Sequence, residues 1–108
     1  MTAHRVPKFW DLVESALAVD GARAIHLSVG RPPLVRVGDE GLRPLDEAHQ
    51  VLTWKDITVL LSYVVEPEQW DGFEAIGDGE VRVLGGIGRS IRVNIFRSSE
   101  AWSAVVHL

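Results

Sequence analysis

HLSVGRPPLVRVGDEGLRPL, residues 26–45, decides how this chain folds. Pro32 and Pro33 cannot donate to a sheet ladder, so they impose a turn or extended kink. On the near side the period is two. Ile25, Leu27 and Val29 alternate with Ala24, His26 and Ser28, which describes a half-buried strand beginning at Arg23. On the far side Leu34–Val37 reads as a second strand, with Val35 and Val37 on one face and Leu34 and Arg36 on the other. The GDEG turn at 38–41 then returns the chain into a third strand, Leu42–Leu45. Arg31, Arg36 and Arg43 stud this small piece of sheet, although the chain as a whole is acidic.

Toward the N-terminus the period changes to that of a helix. Pro7 suits a first helical position, and Phe9, Leu12, Val13, Ala16 and Leu17 recur at helical spacing. Gly21 is placed to close this helix as a left-handed cap. Toward the C-terminus the polar DEAHQ at 46–50 ends the three-stranded unit. Thr53 then reads as a helix N-cap, with Asp56 three residues on in a capping-box position. Trp54, Ile57, Leu60, Leu61 and Val64 form the apolar stripe of this second helix. Pro67 opens a third, short helix that buries Trp70 and Phe73 and ends at Gly77 or Gly79.

Strand patterns return at Glu80–Leu84, Ser90–Arg97 and Trp102–Leu108, with GGIG at 85–88 and SSEA at 98–101 as the hairpin loops. The order α-β-β-β-α-α-β-β-β and its hairpin-length connections give an α+β fold with a mainly antiparallel sheet covered by helices. At 108 residues the chain is one domain, 1–108. Trp10, Trp54 and Trp70 fall on helices at positions expected to face the core.

Composition removes several chemistries. The chain has no cysteine, so disulfides, thiolate metal sites and thiol catalysis are out. Eleven Lys and Arg against fifteen Asp and Glu argue against nucleic acid as a partner, because such binding rests on basic residues meeting phosphates. No run approaches the ~20 apolar residues of a membrane span, and no signal-peptide core begins the chain, so direct membrane insertion is not expected and the cytoplasm is the expected location. GGIGRS at 85–90 lacks the lysine of a phosphate loop and leads into a strand. His4, His26, His49 and His107 form no ligand pair on one element, and no serine has a positioned base. No catalytic, cofactor or metal site is expected.

The arginines are what remain. Arg36 and Arg92 each sit mid-strand among apolar neighbours, with the side chain opposite the core face. Guanidinium groups held on a strand suit bidentate pairing with carboxylate or phosphate. Arg31, Arg36, Arg43, Arg92 and Asn94 are therefore the candidate partner interface.

The segment GARAIHLSVGRPPLVRVGDEGLRPL (21–45) resembles the N-terminal domain of the type IV pilus retraction ATPases and the wider type II secretion ATPases. Gly21, Ala22, His26, Leu27, Ser28, Gly30, Pro32, Pro33, Arg36 and Val37 stand at the positions of that family's motif. LTWKDITVLLSYVVEPEQWDGFE (52–74) is similar to its next two helices. In SIRVNIFRSSEAWSAVVHL (90–108), Arg92, Val93, Asn94 and Phe96 match its Phe-Arg-Val-Asn strand. Departures exist: Arg23-Ala24 replaces a Ser-Asp pair, GDEG lengthens a turn, and His107-Leu108 ends a strand where the family often has arginine.

The resemblance implies a PAS-like domain that precedes a RecA-like motor and packs on the motor of a neighbouring subunit in a hexameric ring. There it presents arginines toward the nucleotide, and Arg36 and Arg92 are the positions carried across. The motor itself, with its Walker motifs, is not in residues 1–108. The expected function is a non-catalytic interaction domain that docks on a RecA-like motor, a neighbouring subunit or a copy of itself, at the inner-membrane base of a pilus or secretion machine. The alternative is a PAS-like sensory module that takes a small molecule or nucleotide between its helices and its sheet.

Overall fold

A computed structural model describes residues 8–39, 41–45, 51–84, 90–98 and 101–108. Pro7 as a helix start, the DEAHQ segment, the GGIG loop and Ser99-Glu100 of the SSEA loop lie outside them, as do His4 and His49. The elements run α1 (Phe9–Leu17), β1 (Ala22–Leu27), β2 (Leu34–Val37), β3 (Leu42–Pro44), α2 (Trp54–Leu61), α3 (Pro67–Ile76), β4 (Asp78–Leu84), β5 (Ser90–Ser98) and β6 (Ala101–His107). This is the expected order. The six strands form one antiparallel sheet, ordered β3-β2-β1-β6-β5-β4. Two three-stranded units thus lie side by side, joined where β1 pairs with β6.

The helices cover one face of this sheet, α1 packing on β1, α2 on β6 and α3 on β4. Phe9, Leu12, Val13 and Ala16 of α1 and Ile57, Leu60 and Leu61 of α2 meet Ile25, Leu27, Val35, Val81, Ile91, Val93, Ile95, Ala104 and Val106 of the sheet. Each of these positions follows from the period of its element, and burying the Val, Leu, Ile and Phe side chains among them stabilises by about 1.5–3 kcal/mol apiece. Helix α2 is capped as its sequence requires. The Thr53 hydroxyl accepts from the Asp56 amide at 3.2 Å, and the Asp56 carboxylate accepts from the Thr53 amide at 2.9 Å.

Several expectations shift. Helix α1 ends at Leu17 with Ala18 as a right-handed cap, because the Ala18 amide still donates to the Glu14 carbonyl. Gly21 is left-handed (φ 80), but it serves the reversal into β1 rather than the cap. Strand β1 stops at Leu27, and Val29 leaves the sheet for a parallel bridge to Leu52, 43% exposed instead of inward. A bulge at Arg23 shifts the register between Ala22 and Ala24, and Ala24 and Ile25 are both buried although they lie on opposite faces. Val64 is buried but lies beyond the end of α2.

The tryptophans differ most. Trp54 is 59% exposed and not part of the α2 stripe, while Trp10, Trp70 and Trp102 are only half-buried. Helix α3 has no fully buried residue: Trp70 and Phe73 are half-buried, stacked edge-on with centroids 6.2 Å apart. The reason lies at β4, where a Cβ on Gly79 would stand 2.2 Å from the Phe73 ring. Phe73 rests on bare backbone, so α3 sits at the rim of the sheet. Gly77 ends α3 as a left-handed cap (φ 93), one of the two expected positions.

Candidate docking face

Among the described residues the helices leave the opposite sheet face open, and strand register states which side chains share it. One transverse row reads Leu42, Arg36, Ala24, His107, Arg92, Arg82 across the sheet. The next reads Pro44, Leu34, His26, Val105, Asn94, Glu80. Both rows face away from the core, because the row between them (Val35, Ile25, Val106, Val93, Val81) is buried beneath the helices. Four cationic or imidazole side chains are therefore aligned on one side, interrupted only by the small Ala24. At about 4.8 Å per strand, Arg36 and Arg92 stand roughly 14 Å apart.

The expected interface residues divide. Arg36, Arg92 and Asn94 lie together on this face. Arg43 pairs with Val35 and so belongs to the helix side of the sheet, although at the edge strand it remains exposed. Arg31 lies in the β1–β2 connection, where its carbonyl accepts from the Leu52 amide at 2.8 Å and its side chain is exposed. The two rows add residues that were not among the expected interface: His107 and Arg82 in the first, Glu80 in the second. The signal for the last two was available, since Glu80 and Arg82 are two apart on one strand and must share a face.

The face is electrostatically uneven. Glu80 lies 3.4 Å from the Arg92 Nε and 3.6 Å from the Arg82 Nε, so two guanidinium groups share one carboxylate. Such exposed pairs contribute about 0–1 kcal/mol and hold neither cation tightly. Arg36 has no carboxylate partner among the described residues. Asn94 Nδ2 lies 3.1 Å from His107 Nε2, within hydrogen-bond distance. His26, half-buried beside this pair, has its pKa lowered by burial first, then by Arg36 and His107. The centre of the face thus resists further positive charge.

Surface grooves among the described residues flank these features. One of about 250 Å³ is lined by Arg82, Ser90, Ile91, Arg92, His107 and Leu108. A second, about 400 Å³, runs along Asp78–Glu80 and Asn94–Phe96. The third, about 460 Å³ on the helix side, lies between Trp54, Thr58, Trp70, Glu74 and Trp102. Among the described residues no cluster of three His, Asp or Glu could hold a metal ion, and no helix is long and apolar enough to cross a membrane.

No protein-family profile matches the chain, and no curated protein does. Solved structures do. The pilus retraction motor PilT, in a crystal structure with bound ADP, superposes with a TM-score of 0.82 and 23% identity over 94% of this chain. The Legionella pneumophila ATPase DotB superposes with a TM-score of 0.74 and 17% identity over 98% of it. The chain spans 29% of the PilT chain and 30% of the DotB chain. At these identities the likeness establishes fold, and it does not favour the sensory-module reading. In fold, the chain resembles the N-terminal domain of the type IV pilus and secretion ATPases.

Proposed function

We propose that the chain is a non-catalytic docking module that seats its open sheet face on a RecA-like ATPase motor domain of pilus or secretion type, or on a neighbouring subunit of such an assembly. The observation that carries this reading is Arg36. It is mid-strand, exposed and without a carboxylate partner among the described residues, on a fold whose solved relatives are a pilus motor and an ATPase. A guanidinium fixed in this way is a preorganised receptor for an acidic side chain or a phosphate. Arg92, loosely shared with Arg82 at Glu80, and Asn94 extend the contact toward β5. The role places the chain in the cytoplasm, at the membrane base of the machine its partner drives. Arg31 and Arg43, on a loop and on the other side of an edge strand, serve at the margin of this surface.

The test is co-purification of a pilus-type motor domain with the parent chain and with the Arg36→Ala/Arg92→Glu variant. Removing one member of a buried interfacial charge pair costs about 2–5 kcal/mol, so the variant should lose the motor while its circular dichroism stays unchanged. Undiminished binding by the folded variant would overturn the proposal.

A further inference from the structure

Both edges of the sheet are open among the described residues, and they are built differently. Strand β3 is three residues long, wholly exposed, and carries Pro44, which cannot donate to a further strand. That edge is closed to pairing. Strand β4 is seven residues long, pairs with β5 without a bulge, and contains no proline or lysine. Its outer row of backbone N–H and C=O groups is a template for another strand.

The sequence of β4 selects its partner. In DGEVRVL, Glu80 and Arg82 flank Val81 symmetrically. Antiparallel pairing of two copies about Val81 puts Val81 opposite Val81, Glu80 opposite Arg82, Gly79 opposite Val83 and Asp78 opposite Leu84. Both Glu80–Arg82 pairs fall on the open face, and opposite charges directly across an antiparallel pair are stabilising. Sliding the register by two residues puts Glu80 against Glu80 or Arg82 against Arg82, and sliding by one turns every side chain to the wrong face. The charges on this edge therefore favour one self-complementary register and oppose its neighbours.

Exposed apolar side chains also lie near this edge. Ile76 and Leu84, 76% and 74% exposed, are the most exposed large apolar side chains among the described residues, and they flank the two ends of β4. The two-fold carries Leu84 of each copy to the start of the other's β4, opposite Asp78 on the open face. Glu80 keeps Arg92 as a neighbour within its own chain while gaining Arg82 from the second copy. We infer that β4 is a homodimerisation edge, joining two copies of this chain about Val81 into one twelve-stranded antiparallel sheet.

The experiment is sedimentation velocity over a concentration series of the parent chain, Glu80→Arg, Arg82→Glu, an equimolar mixture of the two variants, and the double exchange in one chain. The parent should dimerise. Each single variant places like charges opposite one another twice and should self-associate roughly tenfold more weakly or worse. The mixture and the double exchange restore every opposite pair and should recover dimerisation. A parent that stays monomeric at every concentration, or single variants that associate as well as the parent, would overturn the inference. Arg36→Ala, far from β4, should leave the dimer intact, so failure of motor docking and failure of self-pairing are told apart.

Discussion

His26 shows what a single side chain carries. Its position on a sheet face, and that it could meet His107 across the sheet, were legible from the sequence; the register that also sets Arg36 beside it came from the tertiary structure. Burial and these two groups lower its pKa, so the folded chain prefers the neutral ring. As pH falls through the ordinary value of about 6.5, the unfolded chain takes up the proton first. Stability is therefore unaffected by His26 above that value and is lost below it, until the pH passes the lower folded value. Urea melts between roughly pH 7 and pH 5 should show a smaller loss for His26→Gln than for the parent. An equal loss in both proteins would assign the acid sensitivity to other groups. Trp54 makes the opposite point: helical spacing placed it on the core stripe, and the structure leaves it 59% exposed. As the first residue of α2 it lies beside the N-cap Thr53, at the rim of the groove shared with Trp70 and Trp102.

Elements were largely legible because capping and punctuation are local. Thr53, Asp56, Pro67 and Gly77 each do what their chemistry dictates within a few residues. Thr53→Ala removes the acceptor for the Asp56 amide and should cost about 1 kcal/mol, read as a lower urea midpoint at unchanged m-value. Register between elements is a different matter. The bulge at Arg23 and the departure of Val29 toward Leu52 came from tertiary competition, since the Leu52 carbonyl accepts from Gly30 and the Leu52 amide donates to Arg31. Register also separated Arg43 from Arg36, because in β3 it is Leu42 that pairs with Arg36. Three arginines on one hairpin looked like one surface, but Arg36 and Arg43 face opposite sides of the sheet and Arg31 lies in the connection.

At the scale of the molecule, the pairing of β1 with β6 decides the architecture. It joins the two three-stranded units into one sheet and aligns Arg36 with Arg92 through Ala24 and His107. Ile25, 1% exposed, lies at this seam between Val35 and Val106. Ile25→Ala should cost about 2–5 kcal/mol, and because the seam is shared, both halves should still unfold in one transition by fluorescence and circular dichroism. Separate transitions would mean that the units are energetically independent.

By itself the sequence determined the order of elements, the capping of α2 and α3, the inward face of most strands and the likeness to a pilus-ATPase domain, because each is written in local periods and motifs. Only the tertiary structure decided that β1 lies beside β6, that α3 perches on Gly79, and that Arg36, His107, Arg92 and Arg82 share one row. The reason is physical: period and capping are set by neighbours along the chain, whereas strand order and register are set by how distant apolar faces bury one another.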